Sequence, residues 1–220
     1  MDHQTSKYLM LIRPRNFSSN EETLASNDFQ YGISESSNLS QIRENVNTEF
    51  TNMIHHLSHH EIDHVVFDDI EGLGSPDAIF PNNWITFHQN GTVVLYPMMS
   101  SKRRNERRLD IIESLSNHGF LVTNTIDMSY LENKSLYLEG TGSMILDRVS
   151  KKAYACISSR TTSEALSVFS NTMNYEIIDF RSTTKIPIYH TNVMMSIGED
   201  TALVCFDAIK EKELCSQLKI

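Results

Sequence analysis

Three short stretches of this sequence hold residue types that can bind a planar, nitrogen-rich group and move protons. They are Asp77–Trp84 (DAIFPNNW), Glu139–Ser143 (EGTGS) and His190–Val193 (HTNV). The first supplies a carboxylate and two primary amides, the second an acid followed by glycines, and the third an imidazole. Carboxylates and amides form directional hydrogen bonds with planar donors and acceptors, and an imidazole exchanges protons near neutral pH. Together the stretches predict a binding and acid–base site.

Each stretch also has an ordinary structural explanation. Asp and Asn commonly cap turns, which alone would account for Asp77, Asn82 and Asn83. His190 lies between apolar neighbours and could be a hydrogen-bonded core histidine. The glycines after Glu139 could cradle a phosphate, but no Lys-Ser/Thr follows them, so a turn in which two backbone segments approach closely is the better interpretation.

A fourth pattern, His60-Glu61-Ile62-Asp63-His64, fits the H-E-x-x-H spacing of zinc peptidases. That chemistry needs both histidines on one continuous helix face. The apolar helical period ends at Leu57 and a strand begins at Val65, so the pattern should straddle a helix end. Zinc peptidase activity through His60, Glu61 and His64 is therefore a remote alternative, and we expect no metal site and no cofactor.

Composition narrows the class of protein. The chain has 220 residues, 40% of them hydrophobic, a formal charge of −9 and a pI near 5.4. The acidic balance argues against nucleic acid or an anionic membrane as partner. There is no signal-peptide pattern, and no apolar run approaches the roughly 20 residues of a membrane span. Three cysteines form neither a disulfide framework nor a zinc spacing, which favours a reduced, cytoplasmic protein.

The elements that must position these residues follow a repeating order. Helical periodicity over Ile42–Leu57 predicts a helix capped by Ser40, and Val65–Phe67 predicts a buried strand. A unit of two strands, a helix and a strand (ββαβ) then recurs: Ile85–Phe87, Thr92–Tyr96, a helix from Lys102 with Leu109, Ile112 and Leu115 inward, and Phe120–Val122; then Met144–Asp147, Tyr154–Ile157, Ser163–Thr172 and Glu176–Phe180; then Val193–Ile197, Ala202–Phe206 and a helix from Asp207.

Such repeats build propellers or solenoids whose units must close or be capped. The last copy lacks its final strand, and a ring of about five units, each of roughly 50 to 60 residues, would need a longer chain. We therefore expect a single domain over residues 1–220 that is an incomplete α/β propeller, with about three to four of five modules. A chain cut at its C-terminus is the corresponding expectation.

The ordered motifs resemble those of the guanidino-group-modifying (amidinotransferase, pentein) superfamily, and most closely its citrulline-utilisation hydrolases. The matching stretches are MLIRP, NFSSNEET, FDD, PDAIFPNNW, GTVVLYPM, RRNERR, LEGTGSMILDR and HTNVMMSIG. The resemblance implies a five-bladed propeller of ββαβ modules with the active site on its axis. It also implies a Cys nucleophile, a His acid/base and carboxylates that hold the substrate.

Carried over position by position, the resemblance implies catalytic roles for His190 and Glu139. It implies substrate contacts at Asp77, Asn82, Asn83 and Asn192. Relatives that hydrolyse arginine or dimethylarginine have Asp where this chain has Asn83. Since Asn both donates and accepts and buries no charge, this difference favours a neutral ureido group such as that of citrulline.

The family's nucleophilic cysteine belongs to the last module, which the resemblance places outside this chain. Cys156 and Cys205 have the strand contexts of small buried core residues, and Cys215 lies in a terminal helix without a motif. The expectation is an amidino/ureido hydrolase that acts on a small molecule, citrulline or an arginine-like amino acid, and that binds neither nucleic acid nor a membrane. The alternative is a catalytically inactive binding protein or fragment with the same fold, and the oligomeric state is left open.

Overall fold

The computed structural model of the chain describes residues 3–27, 30, 32, 38–185 and 187–211. These residues form two compact units, each assembled from separate stretches of chain. The smaller unit comprises Ser6–Pro81 and Ser100–Thr123, and the larger unit comprises Met1–Thr5, Asn82–Met99 and Asn124–Ile220. The single-domain assignment stays a prediction.

The smaller unit is built on a strand–helix–strand motif. Strand β1 (Tyr8–Arg13) pairs in parallel with β2 (Asp63–Asp68), and helix α1 (Leu39–His59) connects them. Phe50 is the fully covered side chain of α1, and the Arg13 guanidinium lies 5.2 Å from its ring centroid. The cation over the ring adds to the apolar contact that holds α1 on the strands.

Helix α1 begins earlier than the sequence predicted, because Asn38 and not Ser40 is its N-cap. The Asn38 side chain accepts a hydrogen bond from the Gln41 backbone N–H at 3.1 Å, which satisfies one of the donors left over at a helix start. The helix ends at His59, so His60 caps it and His64 lies in β2. The predicted split of the H-E-x-x-H pattern across a helix end is confirmed.

The single helix predicted from Lys102 is wrong. The structure has two short helices, α2 (Ser101–Arg104) and α3 (Leu109–Ser114). Arg108 breaks the helix: its backbone is extended, and its guanidinium is held by the Asp110 carboxylate, with Nε to Oδ1 at 2.9 Å. Leu109, predicted to face inward, is 60% exposed.

The described residues of the larger unit form three sheets and two helices. Its elements are β3 (Ile85–Phe87), β4 (Thr92–Leu95), β5 (Asn124–Asp127), α4 (Gly140–Ser143), β6 (Met144–Asp147), β7 (Lys152–Cys156), α5 (Ser163–Met173), β8 (Glu176–Phe180), β9 (Met195–Ile197) and β10 (Ala202–Val204). In each three-stranded sheet the first two strands are antiparallel and the third joins in parallel, and β9 pairs with β10 antiparallel. The predicted recurrence of strand pairs is confirmed, and the propeller arrangement stays a prediction.

Two predicted strands have different bounds. Residues Phe120–Val122 are not a strand. Strand β5 starts instead at Asn124, which pairs with Thr92. No apolar run marks β5 in the sequence, because Ile126 is the residue of β5 that packs on the core. The predicted strand Val193–Ile197 starts instead at Met195, because Thr191–Val193 form a 3₁₀ turn. The helix predicted from Asp207 is a 3₁₀ turn over Phe206–Ala208 within the described residues.

The core of the larger unit is a cluster of buried apolar side chains contributed by its first two sheets and by α5. Its members include Val94, Tyr96, Leu138, Met144, Leu146, Ala153, Leu166, Phe169 and Tyr175. Thr162 caps α5 by accepting from the Ala165 N–H, which fixes where this helix begins. In the described part of the chain, no helix is both long and apolar enough to cross a membrane.

Candidate active site

The acid of the candidate site lies in a tight turn just before β6. Glu139 is fully buried, and its Oε1 accepts a hydrogen bond from the Met99 backbone N–H at 3.0 Å. Gly140 follows with φ +47°, and a β-carbon there would collide with the Asn82 carbonyl oxygen. Only glycine allows this approach of two backbone segments, so the expected close-approach turn is present.

His190 supplies the imidazole and pairs directly with this acid. Its Nε2 lies 2.7 Å from Glu139 Oε2, and the ring is 5% exposed. When Glu139 is ionised it only accepts hydrogen bonds, so Nε2 then carries a proton and the ring donates to Glu139. The carboxylate thereby fixes the orientation of the ring and can stabilise its protonated form.

Asn83 and Gly142 complete the immediate surroundings of the ring. Asn83 is 3% exposed. A β-carbon on Gly142 would lie 2.8 Å from His190 Nδ1 and closer still to the Asn83 amide nitrogen. The amide and the imidazole therefore converge on one glycine, and the absence of a side chain at 142 is what leaves space for both.

A buried arginine balances the charge of the site. Arg160 is 3% exposed, its Nη1 lies 3.6 Å from Glu139 Oε2, and its guanidinium carbon lies 4.4 Å from the Tyr189 ring centroid. A buried carboxylate is costly unless it is paired, and here a permanent cation and an imidazole share it. The sequence analysis missed Arg160, because nothing in Ser158–Thr162 distinguishes it from an ordinary turn arginine.

Buried hydroxyl groups tie these turns together. The Thr191 hydroxyl donates to the Ser143 carbonyl at 2.6 Å and accepts from the Cys156 N–H at 2.8 Å. The Ser143 hydroxyl donates to the Arg160 carbonyl at 2.9 Å and accepts from the Glu139 N–H at 2.8 Å. The segments that carry the acid, the imidazole and the arginine are therefore held by one hydrogen-bonded network.

The remaining predicted contact residues are placed differently. Asn82 lies beside the site through its backbone, since its carbonyl abuts Gly140 and accepts from the Thr141 hydroxyl at 3.3 Å. Asn192 is exposed in the 3₁₀ turn that follows His190. The structure brings Glu139, His190 and Asn83 together and leaves Asn192 on the surface of the same turn.

Asp77 belongs to the smaller unit and has its own polar surroundings there. Asn20 Nδ2 donates to Asp77 Oδ2 at 2.8 Å, and Arg103 Nε lies 3.7 Å from the same oxygen. Asn20 is completely buried and Arg103 is 2% exposed. Both residues lie in the quoted motifs NFSSNEET and RRNERR, and motif membership was the one signal that could have singled them out.

The two described cysteines differ in accessibility. Cys156 is buried as predicted, and burial raises the pKa of its thiol to about 11. Cys205, predicted to be buried, is exposed because β10 ends at Val204 and leaves it in the following turn. Cys215 lies outside the described residues, so its helical position stays a prediction.

Metal binding has no support in the described ranges, which hold no group of three or more His, Cys, Asp or Glu side chains able to bind an ion. His60 is a helix cap, Glu61 has a left-handed backbone with φ 56°, and His64 lies in β2 with its ring bonded to the Ile62 carbonyl. These three residues do not form the helical pair that a zinc peptidase requires.

The sequence and the fold of this chain are both similar to those of known proteins. The sequence pattern of the family described as N,N dimethylarginine dimethylhydrolase, eukaryotic, matches residues 13–219. No curated protein sequence gives a significant match. Among solved structures, the substrate-bound N-terminal domain of a mutant of ArgZ, an arginine dihydrolase from the ornithine-ammonia cycle in cyanobacteria, is 15% identical with a TM-score of 0.69, and the match covers 94% of this chain and 70% of that one.

Two further structures have the same fold. Unliganded AgrE is 16% identical with a TM-score of 0.71, and the match covers 94% of this chain and 28% of AgrE. A dimethylarginine dimethylaminohydrolase mutant in adduct with S-methyl-L-thiocitrulline is 12% identical with a TM-score of 0.59, and the match covers 90% of this chain and 66% of that one. The resemblance to the guanidino-group-modifying superfamily is confirmed, whereas the citrulline-utilisation branch stays a prediction. Because the family pattern spans nearly all of its residues, this chain belongs to the eukaryotic N,N-dimethylarginine dimethylhydrolase family of that superfamily.

Proposed function

We propose that this chain carries the acid–base and recognition groups of a hydrolase that cleaves a C–N bond in the guanidino or ureido group of an arginine-derived amino acid, with citrulline as first candidate. One observation carries the proposal: the buried His190 Nε2–Glu139 Oε2 contact of 2.7 Å, with the Asn83 amide against the same glycine as the imidazole. Family membership supports the reaction class.

The proposed chemistry uses a thiolate nucleophile. Attack on the ureido carbon forms a C–S bond, the C–N bond breaks, and His190 gives the departing amine its proton. Water then attacks the thiocarbamate carbon and gives a proton back to His190, and the thiolate leaves. For citrulline the products are ornithine and carbamate, which breaks down to ammonia and carbon dioxide.

The proposal assigns the thiol to no described cysteine. Cys156 is buried, and its raised pKa keeps it protonated at neutral pH. Cys205 is exposed in the turn that follows β10, and no family motif contains it. The resemblance implies that the nucleophile belongs to the last module of the family's fold.

The charge of the site supports a neutral substrate. Glu139 already faces Arg160, a permanent cation, and His190. Binding a guanidinium at the same carboxylate would bring a second permanent cation close to Arg160, and like charges at short range repel strongly in a buried site. A ureido group has the same planar shape without the charge, and Asn83 can both donate to it and accept from it.

Turnover by a protein that includes the nucleophile tests the proposal. Ornithine and ammonia release would be measured with citrulline, arginine and dimethylarginine as substrates. We expect His190→Ala and Glu139→Gln to lower kcat by about 100-fold or more, since general acid–base catalysis contributes that much. The exposed His60 gives a matched control, because His60→Ala removes an imidazole far along the chain from the pair. Full activity in either site variant would refute the assignment.

Asn83→Asp tests the substrate preference. The new carboxylate should favour arginine over citrulline, and the ratio of their binding constants should shift by about tenfold toward arginine. Calorimetric titration of both amino acids measures this ratio without requiring turnover. An unchanged ratio would remove Asn83 from substrate recognition.

A second candidate, a non-catalytic binding protein, is favoured by one observation: Cys156, the described cysteine that reaches the candidate site through its contact with Thr191, is buried and has a raised pKa. Such a protein would bind citrulline or arginine through the same groups without releasing ornithine. Binding without turnover selects this candidate, and ornithine release selects the hydrolase.

A further inference from the structure

A second polar cavity lies in the larger unit, at the far ends of the strands that carry the candidate active site. Asn83 and Glu139–Ser143 precede β3 and β6, whereas His88 and Arg148 follow the same two strands. The cavity has a volume of about 130 Å³ and is bounded by these turns and by the end of α5. It is therefore separated from the His190–Glu139 pair by the length of the strands.

The lining of this cavity is basic although the chain as a whole is acidic. Its walls include His3, His88, Arg148 and Lys151, and the described lining residues include no carboxylate. The chain carries a formal charge of −9. Basic groups concentrated in a concave, partly enclosed site focus a positive potential there, which attracts anions.

Arg148 is held in place by the protein. Its Nη1 donates to the Phe87 carbonyl at 3.0 Å, and its backbone N–H donates to the Gln4 side chain at 2.8 Å. A guanidinium has five N–H donors in a planar fork. The contact with Phe87 uses one of them and orients the others, which is the pre-organisation that oxoanion recognition needs.

Tyr175 contributes its aromatic ring to the same wall. The residue is 2% exposed, and its hydroxyl oxygen is buried. The Lys151 ammonium lies 5.2 Å from its ring centroid, and the His88 ring packs edge-on at 6.5 Å. The Tyr175 ring therefore positions the Lys151 ammonium beside the cavity.

We propose that this cavity binds a small tetrahedral oxoanion of the phosphate type, either free or as the phosphate group of a metabolite. Arg148 and Lys151 supply the positive charge, and the Tyr175 ring holds the Lys151 ammonium beside the cavity. The cavity has space for about four water molecules, which a phosphate group would displace. The proposal is independent of the reaction assigned to His190 and Glu139.

Calorimetric titration of the full chain with inorganic phosphate tests the proposal, with ribose 5-phosphate as a second arm to distinguish free phosphate from a phosphate ester. Lys151→Gln should weaken phosphate binding by about tenfold, the loss of one charge-assisted contact. Lys152→Gln is the matched control, since it makes the same charge change one residue along the chain and outside the cavity lining. If both variants weaken phosphate binding equally, the affinity depends only on the net charge of the protein, and the proposal is overturned.

Arg148→Lys provides a second test that does not depend on Lys151. The variant keeps the positive charge but removes the planar fork of N–H donors, so phosphate affinity should fall by about threefold to tenfold. The melting temperature in phosphate-free buffer shows whether the variant folds. No phosphate binding by the wild-type chain, or unchanged binding by this folded variant, would refute the assigned site.

Discussion

At the scale of single residues, the candidate site depends on the missing side chain at Gly142. The His190 ring and the Asn83 amide occupy the space that a β-carbon would need. Gly142→Ala should therefore displace one of these groups and destabilise the protein by about 1–3 kcal/mol, the usual cost of overpacking a buried position. Urea denaturation measures the loss of stability, and titration with citrulline measures whether the displaced group weakens binding.

Gly198→Ala is the control for this change. The nearest atom to a β-carbon at Gly198 is the Thr201 carbonyl oxygen at 3.5 Å, an ordinary contact. This variant should keep both stability and binding close to those of the wild type. If Gly142→Ala behaves in the same way, the packing of the imidazole against residue 142 is looser than the structure implies.

Thiol reactivity offers a second prediction at this scale. Burial raises the pKa of Cys156 to about 11 from its ordinary value of 9.0, so at pH 8 its thiolate is about 100-fold less populated than that of an exposed thiol. In a Cys215→Ser background, a colorimetric disulfide reagent should modify Cys205 rapidly and Cys156 only on unfolding. Fast modification of two thiols in the native protein would show that Cys156 is accessible and contradict its assignment to the core.

The sequence predicted that Glu139 and His190 belong to one candidate site, but it did not predict the charge balance around them. Glu139 and His190 lie 51 residues apart and are hydrogen bonded, as the ordered motifs suggested. Arg160 was missed because a turn arginine is normally solvated, and only the three-dimensional contact with Glu139 shows that it is buried. Long-range pairing of this kind is not visible in local periodicity.

At the scale of elements, the strand pairs were predictable and the helices between them less so. The β3–β4 and β6–β7 hairpins follow apolar runs separated by turn residues, which is a strong local signal. The break between α2 and α3 was not predictable, because it depends on the Arg108 contact with Asp110 and with the Asp68 carbonyl. A side chain that bonds across the structure can override helical propensity.

The start of α2 provides a prediction about pH. Glu22 accepts from the hydroxyls of Ser100 and Ser101, each at 2.6 Å, and these bonds lower its pKa from 4.5 to about 2. A carboxyl whose pKa is lower in the folded state stabilises the fold above pH 4.5 and loses that contribution as the pH falls toward 2. Glu22→Gln should therefore lower the urea midpoint at pH 6, and the difference from the wild type should shrink at pH 3.

The neighbouring residue provides the control for this measurement. Glu21 is exposed, and Glu21→Gln makes the same chemical change next to the helix start. It should leave the urea midpoint nearly unchanged at both pH values. A pH-independent loss of stability in Glu22→Gln would mean that the Gln side chain does not fit at this position. The charge of Glu22 would then contribute little to the stability of the fold.

At the scale of the whole molecule, the repeated strand pairs are unequally supported by packing. Strand β7 pairs with β6 on one side and β8 on the other, and Ala153–Cys156 are buried throughout. Strands β9 and β10 have three residues each and, in the part of the chain that the structure describes, pair only with one another. Leu203 in β10 is 70% exposed. Copies of one motif therefore differ in how much apolar surface and backbone they cover.

This difference predicts a gradient of local stability that hydrogen–deuterium exchange can measure. Backbone amides exchange through local opening, and strands with few buried contacts open at lower free energy than strands in a core. Peptides that cover β7 should exchange about 100-fold more slowly than peptides that cover β10. The β6 peptides serve as an internal reference, because β6 shares the core cluster through Met144 and Leu146. Equal protection of β7 and β10 would mean that contacts other than those of the described residues stabilise the third strand pair. Addition of citrulline should raise protection first at His190, which precedes β9 in the chain, because a bound ligand stabilises the residues that contact it.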